Sequence, residues 1–360
     1  MRPIGAAINL KAIAANLALA RKLAQQHRAA AQAPVRLVAV IKADAYGHGL
    51  GPIGRFLDDK ADMLAVASID EGMILRQAGI RLPVLLLGGA FNAAELPLAE
   101  KHNCIPVVHQ QHQLKWLQVH NPRMHYWIKL ETGMHRMGLD EFNLSGLDGE
   151  AAASTVVMHH YACADTPDHP LNQIQSDNFA RLLEGTQLAT SCANSAAICG
   201  QRLPVGDYIR PGLMLYGASP LAHASAVSLG LQPAMQLASE LISCKPVKTG
   251  ETVGYGADFV APQDGYIGLV ACGYGDGYPR EFIPQAEPWA TVAGVKAKLA
   301  GRVSMDSLAL WLGNKPQPLG SSVTLWGDSP RVEQLAAWAG TTPYTLLTRV
   351  APRVQRIYAE

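Results

Sequence analysis

The stretch "VAVIKADAYGHG" (Val38–Gly49) decides the reading of this chain. Val38 to Ile41 is an unbroken apolar run, as in a strand covered on both faces. It stops on Lys42, and Tyr46, Gly47, His48 and Gly49 follow within seven residues. Burying an amine is costly unless it has a partner or a reaction to carry out. A strand ending on a lysine and running into a glycine-rich turn is therefore read as ligand-binding.

Working outward, seven further apolar runs recur: Met63–Ser68, Val84–Gly88, Ile105–His109, His125–Leu130, Thr155–His160, Gln187–Cys192 and Tyr208–Gly212. Helix-like segments separate most of them. Ile69–Ala78 is one, with Ser68 as N-cap and Glu71 completing a capping box; Leu171–Leu183 is another. The N-terminal segment reads as an amphipathic helix behind Asn9, not as a signal peptide, because Lys11, Asn16, Arg21 and Lys22 interrupt any apolar core. About eight strand–helix units point to a (β/α)8 barrel. A doubly wound open sheet competes, but no G-x-G-x-x-G or P-loop follows a strand. After residue 230 strand-like pieces follow one another, separated by turns, and two short helical stretches close the chain. The expected organisation is an α/β barrel over 1–230 and an all-β, barrel-like domain over 231–360.

The chain has 360 residues, 49% hydrophobic and 16% charged, with a formal net charge of +1. A large core is affordable, and no basic run offers a nucleic-acid surface. No stretch of 18 apolar residues offers a membrane span. Six scattered cysteines without a C-x-x-C pair fit reduced thiols in the cytoplasm. His109 and His112 lack a third ligand, so no metal is expected and both read as surface histidines.

Active sites of such barrels sit where the strands end. That rule gathers Lys42, Lys129, His160, Asn194–Ser195 and Arg210–Gly212 at one mouth. A strand-end lysine there is a Schiff-base candidate. A pyridoxal cofactor needs that lysine, donors for its phosphate, a group against its ring and a partner for its pyridine nitrogen. Ser195, the amides around Gly212 and a tyrosine suit the phosphate, His160 the ring and Arg210 the nitrogen. An always-charged arginine can only donate, so the nitrogen stays unprotonated, which favours brief proton removal and return.

These segments resemble bacterial alanine racemases. The match runs in order through "AVIKADAYGHG" (39–49), "KLETGMHRMG" (129–138), "HHYACAD" (159–165), "ANSAA" (193–197), "RPGLMLYG" (210–217), "VGYGADF" (253–259), "GYGDGYPR" (273–280), "GRVSMD" (301–306) and "LLTRVAPRV" (346–354). The resemblance implies a (β/α)8 barrel followed by a β-rich domain, and a head-to-tail homodimer whose active sites are shared between subunits. It implies L-/D-alanine interconversion with pyridoxal 5'-phosphate, supplying D-alanine for peptidoglycan. Lys42 would hold the cofactor and act as one base, with Tyr255 of the partner subunit as the other. Tyr46, Ser195, Gly212, Leu213 and Tyr344 would serve the phosphate, Arg210 the pyridine nitrogen, and His160 the ring. Arg136 and the backbone at Met305 would bind the substrate carboxylate. Tyr274 would line the substrate entrance with Asp306 beside it, and Lys129 would be carbamylated. Two positions depart from the family pattern. Glu131 stands where aspartate is frequent, and Ser191 stands where a histidine often braces the pyridine-side arginine, leaving Arg210 to be oriented by Ser191 or by water. The competing readings are a racemase acting more broadly on small amino acids such as serine, a pyridoxal decarboxylase and a non-catalytic pyridoxal-phosphate carrier.

Overall fold

The structure, a computed structural model, describes residues 2–28, 33–140, 142 and 155–359. Two units make up the chain. One comprises Ala14–Ala45 and Gly49–Leu231; the other comprises Met1–Ile13, Tyr46–His48 and Gln232–Glu360. The first thirteen residues and Tyr46–His48, assigned from sequence to the barrel, thus group with the β-rich unit.

That unit opens with β1 (Ile4–Asn9), a strand the sequence reading did not assign, since it described only the helix behind Asn9. The helix α1 spans Leu10–Gln26, and Asn9 caps it, its Oδ1 accepting from the Ala12 amide at 3.0 Å.

The larger unit is an eight-stranded parallel sheet. Its strands are β2 (Arg36–Val40), β3 (Met63–Val66), β4 (Val84–Leu86), β5 (Cys104–Val108), β6 (Trp127–Lys129), β7 (Val156–Met158), β8 (Ala189–Ser191) and β9 (Tyr208–Ile209). All eight fall within the apolar runs or at their edges. The order is β8-β7-β6-β5-β4-β3-β2-β9, and the Asn194–Arg210 bridge brings the β8 and β9 ends together. Most of these strands are buried at every position, as expected where helices cover one face and barrel side chains the other.

The second unit is antiparallel apart from its terminal β1–β18 pair. Its strands are β10 (Met235–Val247), β11 (Thr252–Val253), β12 (Phe259–Val260), β13 (Gly265–Val270), β14 (Trp289–Val292), β15 (Val295–Leu299), β16 (Leu308–Trp311), β17 (Ser322–Trp326) and β18 (Gln355–Ala359). Six of them close a barrel, β13-β16-β15-β14-β17-β10, because the long β10 pairs with both β13 and β17. β1 continues the sheet beyond β10, and β18 lies parallel to β1, so the chain ends on a strand after the two short helices Val332–Trp338 and Pro343–Thr348. The terminal strands escaped the sequence reading because each gains its ladder only from a segment over two hundred residues away in the chain.

Two local features differ from expectation. The turn after β2 is a left-handed helical turn, with Ala43, Asp44, Ala45 and Tyr46 at φ between 52° and 55° before Gly47 at 78°. Each L-residue there costs roughly 1–2 kcal/mol. Asp44 supports the turn, its Oδ1 accepting from the Leu50 amide at 2.7 Å. The Ser68 side chain makes no cap bond, and Glu71 does not complete the capping box; its carboxylate bonds the amides of Ala67 and Ala43 instead. All six cysteines are free thiols, and no helix among the described residues is long and apolar enough to cross a membrane.

Ala43 is exposed. Replacing it by glycine should therefore relieve strain without removing packing, for a gain of about 0.5–1 kcal/mol after the entropy cost of glycine in the unfolded chain. Urea midpoints of wild type and Ala43→Gly check this; a lower midpoint would mean that the left-handed turn is not strained.

Candidate active site

The end of β2 places Lys42 half-buried. Burial lowers its amine below the ordinary lysine range and Arg136 lowers it further, while Glu71 pulls the other way. Lys129 ends β6 and is 5% exposed. Its amine is pushed down to about 8 by burial, then by Arg136 and Arg210, with Glu131 opposing and Lys42 adding a little. Among the described residues no hydrogen bond reaches that amine. The cations expected from sequence to share a mouth thus feel one another electrostatically.

Arg136 rides on a tight excursion from β6. Leu139 donates to Lys129 O at 2.8 Å and Glu131 to Leu139 O at 2.9 Å, closing its base. Glu131 Oε1 accepts from the Gly133 and Met134 amides at 2.6 and 2.7 Å. The longer glutamate at this position therefore braces the loop, and Arg136 stands exposed on it.

Arg210 follows β9 and is 4% exposed. One guanidinium nitrogen donates to Ser191 Oγ and O at 2.5 and 2.8 Å; the other donates to His159 O at 2.7 Å. Ser191 in turn donates to Tyr208 O at 2.8 Å. Of the two sequence alternatives for orienting Arg210, the structure shows Ser191. Burial lowers the Arg210 guanidinium to about 10. His160 Nδ1 lies 3.4 Å from Arg210. Burial, and then the charge of Arg210, holds this imidazole well below its usual range, so it is neutral.

Ser195 opens the short helix Ser195–Gly200, capped by Asn194. Its Oγ accepts from the Gly212 amide at 2.8 Å and the Met214 amide at 3.3 Å. Gly212 precedes the turn Leu213–Tyr216, so three of the expected phosphate residues are brought together.

In the β-rich unit the rings of Tyr46 and Tyr344 lie 5.8 Å apart between centroids. Tyr46 is buried, which raises its hydroxyl above the ordinary phenol range; Tyr344 is exposed on the helix Pro343–Thr348. Tyr255 is 71% exposed, in a turn between β11 and β12. Arg302 clamps that turn through Asp258, with bonds of 2.6 and 3.2 Å. At Gly256, whose φ is 77°, an L side chain would be strained, and its Cβ would lie 2.7 Å from Arg302 Nη2, so the Arg302–Asp258 pair would have to shift.

Tyr274, Met305 and Asp306 share a framework that sequence reading missed. Asp276, fully buried, accepts from Arg2 at 2.7 and 2.9 Å and from the Gly273 amide at 2.9 Å. Arg353 pairs with Asp276 at 2.7 Å and with Asp306 at 2.8 Å, and Arg2 also bonds Asp306 O at 2.9 Å. Gly275 donates to Met305 O at 2.9 Å, and Arg280 lies over the Tyr274 ring at 5.4 Å. The aspartate within "GYGDGYPR" was the available signal. His109, read as a surface residue, is half-buried with Nε2 3.0 Å from Gly88 O. No cluster of metal-ligating side chains occurs among the described residues.

Family profiles match both parts of the chain: the alanine racemase N-terminal domain over residues 8–220 and the alanine racemase C-terminal domain over 234–358. The chain belongs to the alanine racemase family. It is an enzyme of the isomerase class. It is 41% identical to the biosynthetic alanine racemase of Pseudomonas aeruginosa, with all of both chains covered. It is 42% identical to the catabolic alanine racemase of Pseudomonas putida, with 99% of both covered. A crystal structure of the Pseudomonas aeruginosa biosynthetic racemase superposes with a TM-score of 0.90 at 39% identity, over all of both chains. That of the Bartonella henselae alanine racemase with covalently bound pyridoxal phosphate gives 0.85 at 26%, again over all of both chains.

Two outcomes follow for this member of the family. Burial raises the Asp276 carboxyl, but bonds from Arg2 and the Gly273 amide, with the charges of Arg2 and Arg353, outweigh that and hold it below the usual range. The stability it contributes is present above the unfolded carboxylate range and is lost as pH falls through the folded value. Asp276→Ala should cost about 3 kcal/mol at neutral pH, because both arginines lose a buried partner. Urea unfolding at pH 7 and near pH 3 measures it, and an equal loss at both would sink the electrostatic account. Gly256→Ala should cost roughly 1–2 kcal/mol, because alanine is strained at φ 77° and its Cβ presses on the Arg302–Asp258 pair; an unchanged urea midpoint would show the turn tolerates the side chain.

Proposed function

We propose that this chain interconverts L- and D-alanine, with pyridoxal 5'-phosphate held at Lys42 and with a homodimer as the working form. The 1–230 segment carries the cofactor, and 231–360 supplies Tyr255 to the partner. The observation that carries the reading is the set of mutually repelling cations Lys42, Lys129, Arg136 and Arg210 on the barrel unit. Such a set suits a doubly anionic phosphate and a substrate carboxylate.

The residues present fit the cofactor. Ser195 Oγ accepts from the Gly212 and Met214 amides, which leaves its own O–H to donate to a phosphate seated by the Gly212 turn. Leu213 shares that turn, and Tyr46 and Tyr344 add hydroxyls. Arg210, fixed by Ser191 and His159 O, is a donor-only partner for a ring nitrogen. The neutral His160 offers an uncharged ring face. When bound, the cofactor withdraws electrons from the substrate α-carbon.

Lys42 is suited to its part because its lowered amine is more often neutral at physiological pH. Its Nζ exchanges the α-proton on one face, and Tyr255 Oη of the partner subunit exchanges it on the other. An exposed tyrosine on a braced turn is what a residue offered to a second subunit requires. Arg136 and the Met305 backbone hold the carboxylate, while Tyr274 and Asp306 line the approach. Lys129, with an amine near 8 and no hydrogen bond from the described residues, is carbamylated. The ammonium first loses one proton, the neutral nitrogen bonds the carbon of carbon dioxide, and a second proton leaves, so that a cation becomes an anion close to Arg136. The product supplies peptidoglycan synthesis from the cytoplasm.

Racemisation measured over a panel of small amino acids, with alanine fastest, supports the substrate. Lys42→Ala should lose nearly all turnover and the visible-edge absorbance of the purified protein. Tyr255→Phe should slow abstraction from one enantiomer far more than from the other, seen by solvent deuterium entering the α-position. Equal slowing in both directions would remove Tyr255 as a face-specific base.

A further inference from the structure

Glu71 sits in the first turn of the helix Ile69–Gln77 but does not serve that helix's cap. Its Oε2 accepts from the Ala67 amide at 2.7 Å, one residue beyond β3. Its Oε1 accepts from the Ala43 amide, also at 2.7 Å. Ala43 follows Lys42 directly and is the first residue of the left-handed turn. β2 and β3 are parallel neighbours, paired from Val38–Met63 to Val40–Ala65. One carboxylate thus ties together the points where two adjacent barrel strands end, and one of those points is the lysine.

We propose that Glu71 is a positioning residue for Lys42, fixing the direction in which the amine leaves β2 and supplying its counter-charge. The proposal rests on the reading that Lys42 carries the cofactor. Three features carry it. The clamp falls on the residue next to Lys42, where a change in backbone direction swings the whole side chain. It acts on a turn whose four left-handed alanine, aspartate and tyrosine residues would otherwise relax. And the charged groups acting on the amine are unbalanced without it: Arg136 opposes the charged form, Lys129 is a further cation coupled to Lys42, and Glu71 alone favours the charged form.

The test uses purified holoenzyme of wild type, Glu71→Gln and Glu71→Asp. Glutamine keeps the shape but loses the charge and presents an N–H to one of the two amides; aspartate keeps the charge with a shorter reach. Hydrogen exchange read on peptides covering Ala43 and Ala67 should quicken about tenfold or more in Glu71→Gln, as expected for loss of a charge-assisted bond. In the same variant kcat should fall roughly 10–100-fold with KM for alanine changed little, the signature of a misplaced reacting group. The limb of the kcat/KM pH profile belonging to Lys42 should move to lower pH, since the influence favouring the charged amine is gone. Glu71→Asp should restore that limb while recovering only part of kcat. Wild-type exchange rates together with a superimposable pH profile in Glu71→Gln would overturn the proposal. Borohydride reduction and peptide mapping of the wild type separates the two levels. No cofactor on Lys42 would overturn the functional reading, while the exchange rates would still decide the clamp.

Discussion

The left-handed turn from Ala43 to Tyr46 is the constraint on which the rest of the structure depends. A right-handed turn would cost nothing and would direct the chain elsewhere. Four consecutive L-residues in this conformation represent roughly 4–8 kcal/mol of unfavourable backbone energy. It persists because its surroundings over-determine it. Asp44 bonds Leu50, Glu71 bonds Ala43, and Gly47 lies so close to Leu347 O that a Cβ there would stand 2.0 Å from it. Strain held this firmly is typical of functional sites, where two side chains must leave the backbone in directions ordinary geometry does not provide. Here the turn follows Lys42 directly and contains Tyr46.

Charge is the second organising quantity. The barrel unit gathers lysines and arginines that lower one another's affinity for protons, and only carboxylates on neighbouring segments oppose them. Like charges held together in low-dielectric surroundings weaken the fold until an anion joins them. An anion bound among them would therefore stabilise this unit. Arg210 is an instructive case. Its guanidinium is held by backbone carbonyls and the Ser191 hydroxyl, not by a carboxylate, so it remains a strong donor for a further partner.

The β-rich unit solves a different problem. It presents residues at its surface while keeping them still. Arg302 and Asp258 brace the turn that exposes Tyr255. Asp276 does the same for Tyr274, Met305 and Asp306 through Arg2 and Arg353. In both places an ion pair fixes a loop from behind while Tyr255, Tyr274 and Met305 stay exposed.

Sequence alone determined the two-part architecture, because buried parallel strands appear as near-continuous apolar runs and antiparallel ones as short runs between turns. It also located Lys42, Lys129, Ser195 and Arg210, because polar residues at the ends of apolar strands are conspicuous. Only the tertiary structure decided the rest. β1 and β18 were invisible because their ladders come from distant segments. The spacing of Ser68 and Glu71 encoded a cap, yet a backbone amide from a neighbouring strand end captured the carboxylate. Nor does any local rule announce four left-handed residues in "ADAY": backbone handedness at such a cost is imposed by packing, and propensity alone opposes it.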